Sequence, residues 1–385
     1  ETLRNMNTRI PSFLSRPVAL AAAALATALL AAGPAQAAHG VAATAGQTDA
    51  APSSRPLPVV ASFSILADLV KQVGGDRVAV ESLVKAGGDT HVFQPGPAQV
   101  RQLSSASLVV VNGLGFEGWM PRLIGSSGYK GPVVEAARGL QAMKATDDHH
   151  HHGDDADEDD HDHDGPHGHD HDHDGPHGHD HDEDGPHGHS HADHDHDEAS
   201  HGHHHHHHGG LDPHAWQDAL NVRHYVANIA EGLCQAAPAD CAGFRERARA
   251  YDQKLLELDQ EIHKAVDATP TDRRRVMVSH AAFGYYGRAY HITFMAPVGI
   301  STEEEPSAAV VANLIRQARQ QNVQAFFFEN NSDPRLLKRM ASELKNVTIG
   351  ELYADSLSPA NGPAADYLSM MRYNTRAITQ ALSKK

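Results

Sequence analysis

Of the 32 histidines in this 385-residue chain, 25 lie between Asp147 and His208, with 21 of the 49 acidic residues and no lysine or arginine. A ten-residue unit runs three times there: HDHDGPHGHD from His161 and again from His171, then HDEDGPHGHS from His181. Imidazole and carboxylate are ligands for divalent transition metals, and an unperturbed imidazole is mostly neutral at pH 7. A weak metal-collecting role is therefore assigned to His161, His163, His167, His169, His171, His173, His177, His179, His203, His204, His205, His206, His207 and His208. A solvated acidic tract would explain the aspartates but not the histidines, and a terminal tag would explain only His203 to His208. Lacking large apolar side chains, the segment cannot build a core, and its composition predicts disorder. Such a loose array is unselective, so selective chemistry is expected elsewhere.

Four metal-competent side chains outside the segment stand at or just beyond predicted strand ends, or in comparable loops: His91, His214, His280 and Asp355. In open α/β sheets, ligands bind at the carboxyl ends of strands. A closed zinc site takes four N, S or O ligands in a tetrahedron. Spacing alone does not distinguish these histidines from structural ones. His224, His263 and His291 sit within helical patterns or at a strand start and read as structural or surface residues. Glu303-Glu304-Glu305 reads as a solvated loop at a helix start. No HExxH helix and no general base beside the ligands is present, which argues against a metallohydrolase.

The elements that must carry these residues alternate. Strands are predicted at 58–62, 77–84, 108–111 and 132–135, with helices at 65–73, 98–105 and 116–124 between them. The pattern resumes after the insertion with strands at 275–279, 292–295, 324–328 and 347–352, and helices at 283–290, 307–321, 334–344 and 364–382. Such alternation argues for parallel sheets. Between the halves, after a helix at 219–235, Phe244, Ala248, Tyr251, Leu255, Leu258, Ile262 and Val266 recur every three or four residues. The fold class is thus α/β: two lobes, each with a mostly parallel sheet flanked by helices, joined by one long spine helix. The expected division is an N-terminal lobe over 58–238 with a disordered insertion at 147–210, a linking helix over 239–269, and a C-terminal lobe over 270–385.

The net charge of -17 belongs to the insertion. Outside it, 28 acidic residues (49 less 21) face 32 basic ones, so neither a nucleic-acid patch nor a surface for acidic substrates is indicated. Residues 1–37 read as a cleaved export signal: Arg9 and Arg16, an apolar run from Val18 to Ala32, then Ala35-Gln36-Ala37. The run is short for a membrane span. No cysteine follows the cleavage point, so a soluble periplasmic protein with a flexible leader at 38–57 is expected. Cys234 and Cys241, seven positions apart, read as a local disulfide joining two helix ends, with free thiols or zinc ligation as alternatives.

Five segments together resemble the metal-binding solute-binding proteins of zinc and manganese ABC transporters, the cluster A-I family, and its ZnuA-like zinc branch in particular. They are GGDTHVFQPGPAQVRQL around His91, VNGLGFEGWM, DPHAWQD around His214, SHAAFGYYGRAY around His280 and YADSLS around Asp355. The resemblance covers roughly Val59 to Leu382. It implies two lobes joined by a long helix, no enzymatic activity, and one metal in the cleft held by His91, His214, His280 and Asp355. It also implies delivery of zinc, the transported ligand, to an inner-membrane ABC permease. Manganese-type relatives usually place a glutamate where His280 stands. A monomer is expected, with a metallochaperone as a further partner. The alternatives are uptake of manganese, nickel or copper, and a periplasmic zinc buffer or chaperone without a permease.

Overall fold

The computed structural model describes residues 55–145, 210–303 and 305–383. The chain opens with β1 (Leu57–Phe63), α1 (Ser64–Gly74) and β2 (Val78–Val84). Next come α2 (Pro97–Ser104), β3 (Leu108–Val111), α3 (Met120–Ser127) and β4 (Val133–Glu135). α4 (Ala219–Ala236) and α5 (Cys241–Asp267) follow the His-rich segment. The second half contributes β5 (Arg275–Val278), α6 (Gly284–Tyr290), β6 (Thr293–Met295) and α7 (Ala308–Gln320). It closes with β7 (Ala325–Glu329), α8 (Arg335–Ser342), β8 (Thr348–Leu352) and α9 (Tyr367–Ser383).

Two four-stranded sheets result, ordered β2-β1-β3-β4 and β6-β5-β7-β8, and every pairing in both is parallel. Each half thus uses the same winding, with its first strand inside and its second at the edge. β3 is four apolar residues buried on both faces, as expected for an interior parallel strand. In each sheet the winding reverses beside the first strand, which opens a crevice at the carboxyl ends.

The predicted stripe on α5 is the one that packs: Phe244, Tyr251, Leu255, Leu258, Ile262 and Val266 are buried. Twenty-seven residues span about 40 Å at 1.5 Å each. α5 packs against α1, α4 and α9. Arg247 on α5 donates to the carbonyls of Val73 and Gly74, satisfying the open end of α1 where Gly75 turns the chain at φ 60°. One hydrophobic cluster runs through both halves, from Val59 and Val110 through Leu255 to Val276 and Met371. Smaller clusters lie under α2 and α3 and under α7 and α8.

Some boundaries move for local reasons. The helix expected at 116–124 begins only at Met120, because two turns precede it, one closed from the Phe116 N–H to the Gly113 carbonyl with Gly113, Leu114 and Gly115 at positive φ, the next from the Met120 N–H to the Glu117 carbonyl. The last helix begins at Tyr367 rather than 364, where the Asp366 carboxylate accepts the Ser369 N–H. Ser307 caps α7 by accepting from the Val310 N–H. β7 runs one residue further than expected, to Glu329. Cys234 and Cys241 form the disulfide between the end of α4 and the start of α5.

Candidate metal centre

Each of the four singled-out side chains arrives from a different segment. His91 lies in the loop after β2, His280 two residues beyond β5, and Asp355 three residues beyond β8. His214 lies in the segment that leads into α4. One ligand atom from each falls within 4.8 Å of all the others. The His214 Nε2 stands 3.4 Å from the Nε2 of His91 and 3.4 Å from that of His280. Asp355 Oδ2 lies 3.4 Å from His91 Nε2 and 3.2 Å from His280 Nε2, and Asp355 Oδ1 lies 3.6 Å from His214 Nε2. A tetrahedron with zinc–nitrogen bonds of 2.0–2.1 Å has edges of about 3.3 Å. Several of the observed separations lie close to that edge, so the four side chains gather around a space of one ion's size.

The protons around the site point the same way. His214 Nδ1 is 2.9 Å from Asp212 Oδ1, and His280 Nδ1 is 2.5 Å from Glu329 Oε2. A carboxylate only accepts, so each Nδ1 carries the hydrogen, and the Nε2 lone pairs of both rings converge. Asp355 is fully buried, and among the described residues only the imidazoles of His91, His214 and His280 approach its oxygens, none in good hydrogen-bond geometry. A buried carboxylate facing three imidazoles needs a cation or their protons. The metal-free electrostatics show that need. Burial works against the charged His280 ring, yet the charges of Glu329 and Asp355 hold it well above the ordinary imidazole range. Burial likewise raises Asp355, but His280 and His214 hold it well below the ordinary carboxylate range.

Hydrogen bonds knit the ligand loops to each other. Asp89 accepts the His91 N–H through Oδ1 and the Thr302 hydroxyl through Oδ2. Gly87 N–H donates to Ser356 Oγ beside Asp355. Trp216 and Gln217, just after His214, both donate to the Ala354 carbonyl. Phe116 sets its ring edge-on to His91 with centroids 4.9 Å apart, and it also packs against His214 and Trp216.

The residues expected to lie apart do so. His224 and His291 are exposed, and His263 pairs with Asp259 on α5. Glu303 and Glu305 are exposed. The collecting histidines of the insertion lie outside the described residues. Sequence reasoning passed over Asp212 and Glu329. Asp212 stood two residues before a candidate ligand. Glu329 was the one charge ending the apolar run of β7, at the end of the sheet where sites form.

Comparison with known proteins now decides the family. A family model described as zinc-uptake complex component A, periplasmic, matches residues 59–381. The chain belongs to that family. The zinc-uptake component family consists of substrate-binding transport proteins and not of enzymes. Among curated relatives, a manganese ABC transporter substrate-binding lipoprotein, PsaA of Streptococcus anginosus, is 26% identical over 350 residues, covering 89% of this chain and 94% of that protein. The periplasmic zinc binding protein TroA from Treponema pallidum shares the fold with a TM-score of 0.66 at 22% identity, over 86% of this chain and 100% of that one. A manganese-bound periplasmic metal binding protein from Candidatus Liberibacter asiaticus does so with a TM-score of 0.63 at 21% identity, over 85% and 99%. Among the described residues, no helix is long and apolar enough to cross a membrane.

Proposed function

We propose that this protein captures zinc in the periplasm and delivers it to an inner-membrane ABC permease, with His91, His214, His280 and Asp355 as the four ligands. The observation that carries the reading is the convergence of three imidazole nitrogens and the buried Asp355 carboxylate within 4.8 Å of one another. Three nitrogen donors suit zinc, whereas manganese favours oxygen-rich sets. The lobes are taken as 58–238 and 270–385, with 239–269 as the link, and the protein as a monomer that a metallochaperone loads or that loads unaided. The His-rich segment collects zinc weakly and raises its concentration at the cleft, since many weak sites on a tether act through effective concentration.

Manganese is the second reading, because the PsaA relative is named for it. Affinity alone does not separate the two, since zinc outranks manganese at almost any nitrogen and oxygen site. The test is therefore transport. Cells lacking the protein are complemented with the wild type or with His280→Ala, and zinc and manganese accumulation are measured under scarcity of each. The expected result is restored zinc accumulation by the wild type alone. Restored manganese accumulation with no effect on zinc would replace this reading by the second.

A further inference from the structure

The segment Asn112–Trp119 supplies no metal ligand, yet it touches both ligand loops of the N-terminal half. Asn112 is completely buried and its carboxamide is fully engaged. Its Nδ2 donates to the carbonyls of Gly113 and Pro213, each at 3.0 Å, and its Oδ1 accepts the Tyr225 hydroxyl at 2.6 Å. Pro213 is the residue immediately before His214. At the other end of the segment, Trp119 Nε1 donates to the carbonyl of Thr90 at 2.9 Å, immediately before His91. Between these two grips Phe116 presses its ring against both imidazoles, with centroids 4.9 Å from His91 and 5.8 Å from His214.

The segment is itself held in an unusual shape. Gly113, Leu114 and Gly115 take φ of 87°, 56° and 80° in succession. A leucine in the left-handed region is strained, and such strain persists only when the surroundings over-determine the loop. The surroundings here are the buried Glu117 carboxylate. It accepts the Ser62 hydroxyl at 2.6 Å, the Asn112 N–H at 2.7 Å and the Gly113 N–H at 3.4 Å. Glu117 thereby locks both ends of the bend to β1.

We propose that Asn112–Trp119 is a clamp that sets the His91–His214 separation, with Asn112 and Trp119 as positioning residues and Glu117 as the anchor of the bend. The proposal rests on the metal site above but not on which metal it takes. A backbone carbonyl beside each ligand is gripped by a side chain of one short, rigid bend. The two Nε2 atoms lie 3.4 Å apart in this arrangement. Supporting groups of this kind, one step removed from a metal, typically change its affinity about 10- to 100-fold when lost.

The test compares full-length wild type, Asn112→Ala and Trp119→Phe, with full-length His280→Ala as the baseline for metal held outside the cleft. Zinc and manganese affinities are measured by chelator competition, cobalt(II) visible bands report the ligand geometry, and melting of the metal-free protein reports stability. Trp119→Phe keeps an aromatic ring beside Phe93, at the loss of some volume, and removes the N–H that grips the Thr90 carbonyl. Both variants should lose about tenfold or more in affinity for zinc and for manganese, with shifted cobalt bands. Trp119→Phe should melt as the wild type does. Unchanged affinity and unchanged bands in both variants would overturn the clamp. A loss of affinity with wild-type bands and a lowered melting temperature would also overturn it, because general loosening would then suffice. If Asn112→Ala does not fold, Trp119→Phe decides alone. A wild type that binds no more tightly than His280→Ala would instead overturn the metal site, and the clamp with it.

Discussion

Glu117 shows how one buried carboxyl answers to competing demands. Burial raises it, while the Ser62 hydroxyl and the N–H groups of Asn112 and Gly113 hold it down, and the balance lies at about 7 against an ordinary 4.5. Tyr225 stays neutral beside it, since burial and then the Glu117 charge raise its phenol well above the ordinary range. Folding favours the protonated carboxyl. Its contribution to stability is therefore complete below about pH 4.5 and is lost as the pH climbs through about 7. Glu117→Gln cannot ionise. Relative to the wild type, it should gain on the order of 2–3 kcal/mol between pH 5 and pH 8. Urea unfolding across that range checks this, and a constant difference between the two proteins would show that Glu117 does not titrate there.

At the scale of elements, the helices are placed by close approach as much as by apolar stripes. Gly232 on α4 lies so near β4 that a methyl group there would collide with Val134, a stiff β-branched neighbour. Gly232→Ala should therefore destabilise the protein by about 1–3 kcal/mol, although alanine is the better helix former. Thermal unfolding measures the loss, and a stabilised variant would show that α4 shifts freely on the sheet. The elements were largely legible in the sequence because their periods differ. The β-branched runs of β1 and β3 and the stripe of α5 allow few alternatives. The two turns over Gly113–Phe116 and Glu117–Met120 were not legible, because the apolar residues from Phe116 on fit a helical pattern. Only the three successive positive φ values, enforced by a carboxylate acting through space, break that pattern.

At the scale of the molecule, the described residues that flank the His-rich segment meet at one place. Lys144 and Leu211 form an antiparallel bridge, the Ala145 N–H donates to Gly210 and the Asp212 N–H donates to Met143. These flanks are therefore already joined by backbone hydrogen bonds. Excising residues 147–208 should leave the melting temperature and cleft affinity nearly unchanged while slowing zinc acquisition when the metal is scarce. Chelator competition and stopped-flow loading on the excised protein test this. A large loss of cleft affinity would mean that the segment contributes to the tight site itself.

The alternation of strands and helices, the long spine and the four candidate ligands followed from local pattern, because hydrophobic period and strand-end position are properties of neighbouring residues. Local pattern by itself could not show that His91, His214, His280 and Asp355 meet, an expectation that only the family resemblance carried, since their separation along the chain reaches 264 positions between His91 and Asp355. Nor could it show the carboxylates behind His214 and His280, or the grip of Asn112 on Pro213. Those depend on two parallel sheets presenting their carboxyl ends to one crevice. There, burial turns each polar side chain into a group that must find a partner.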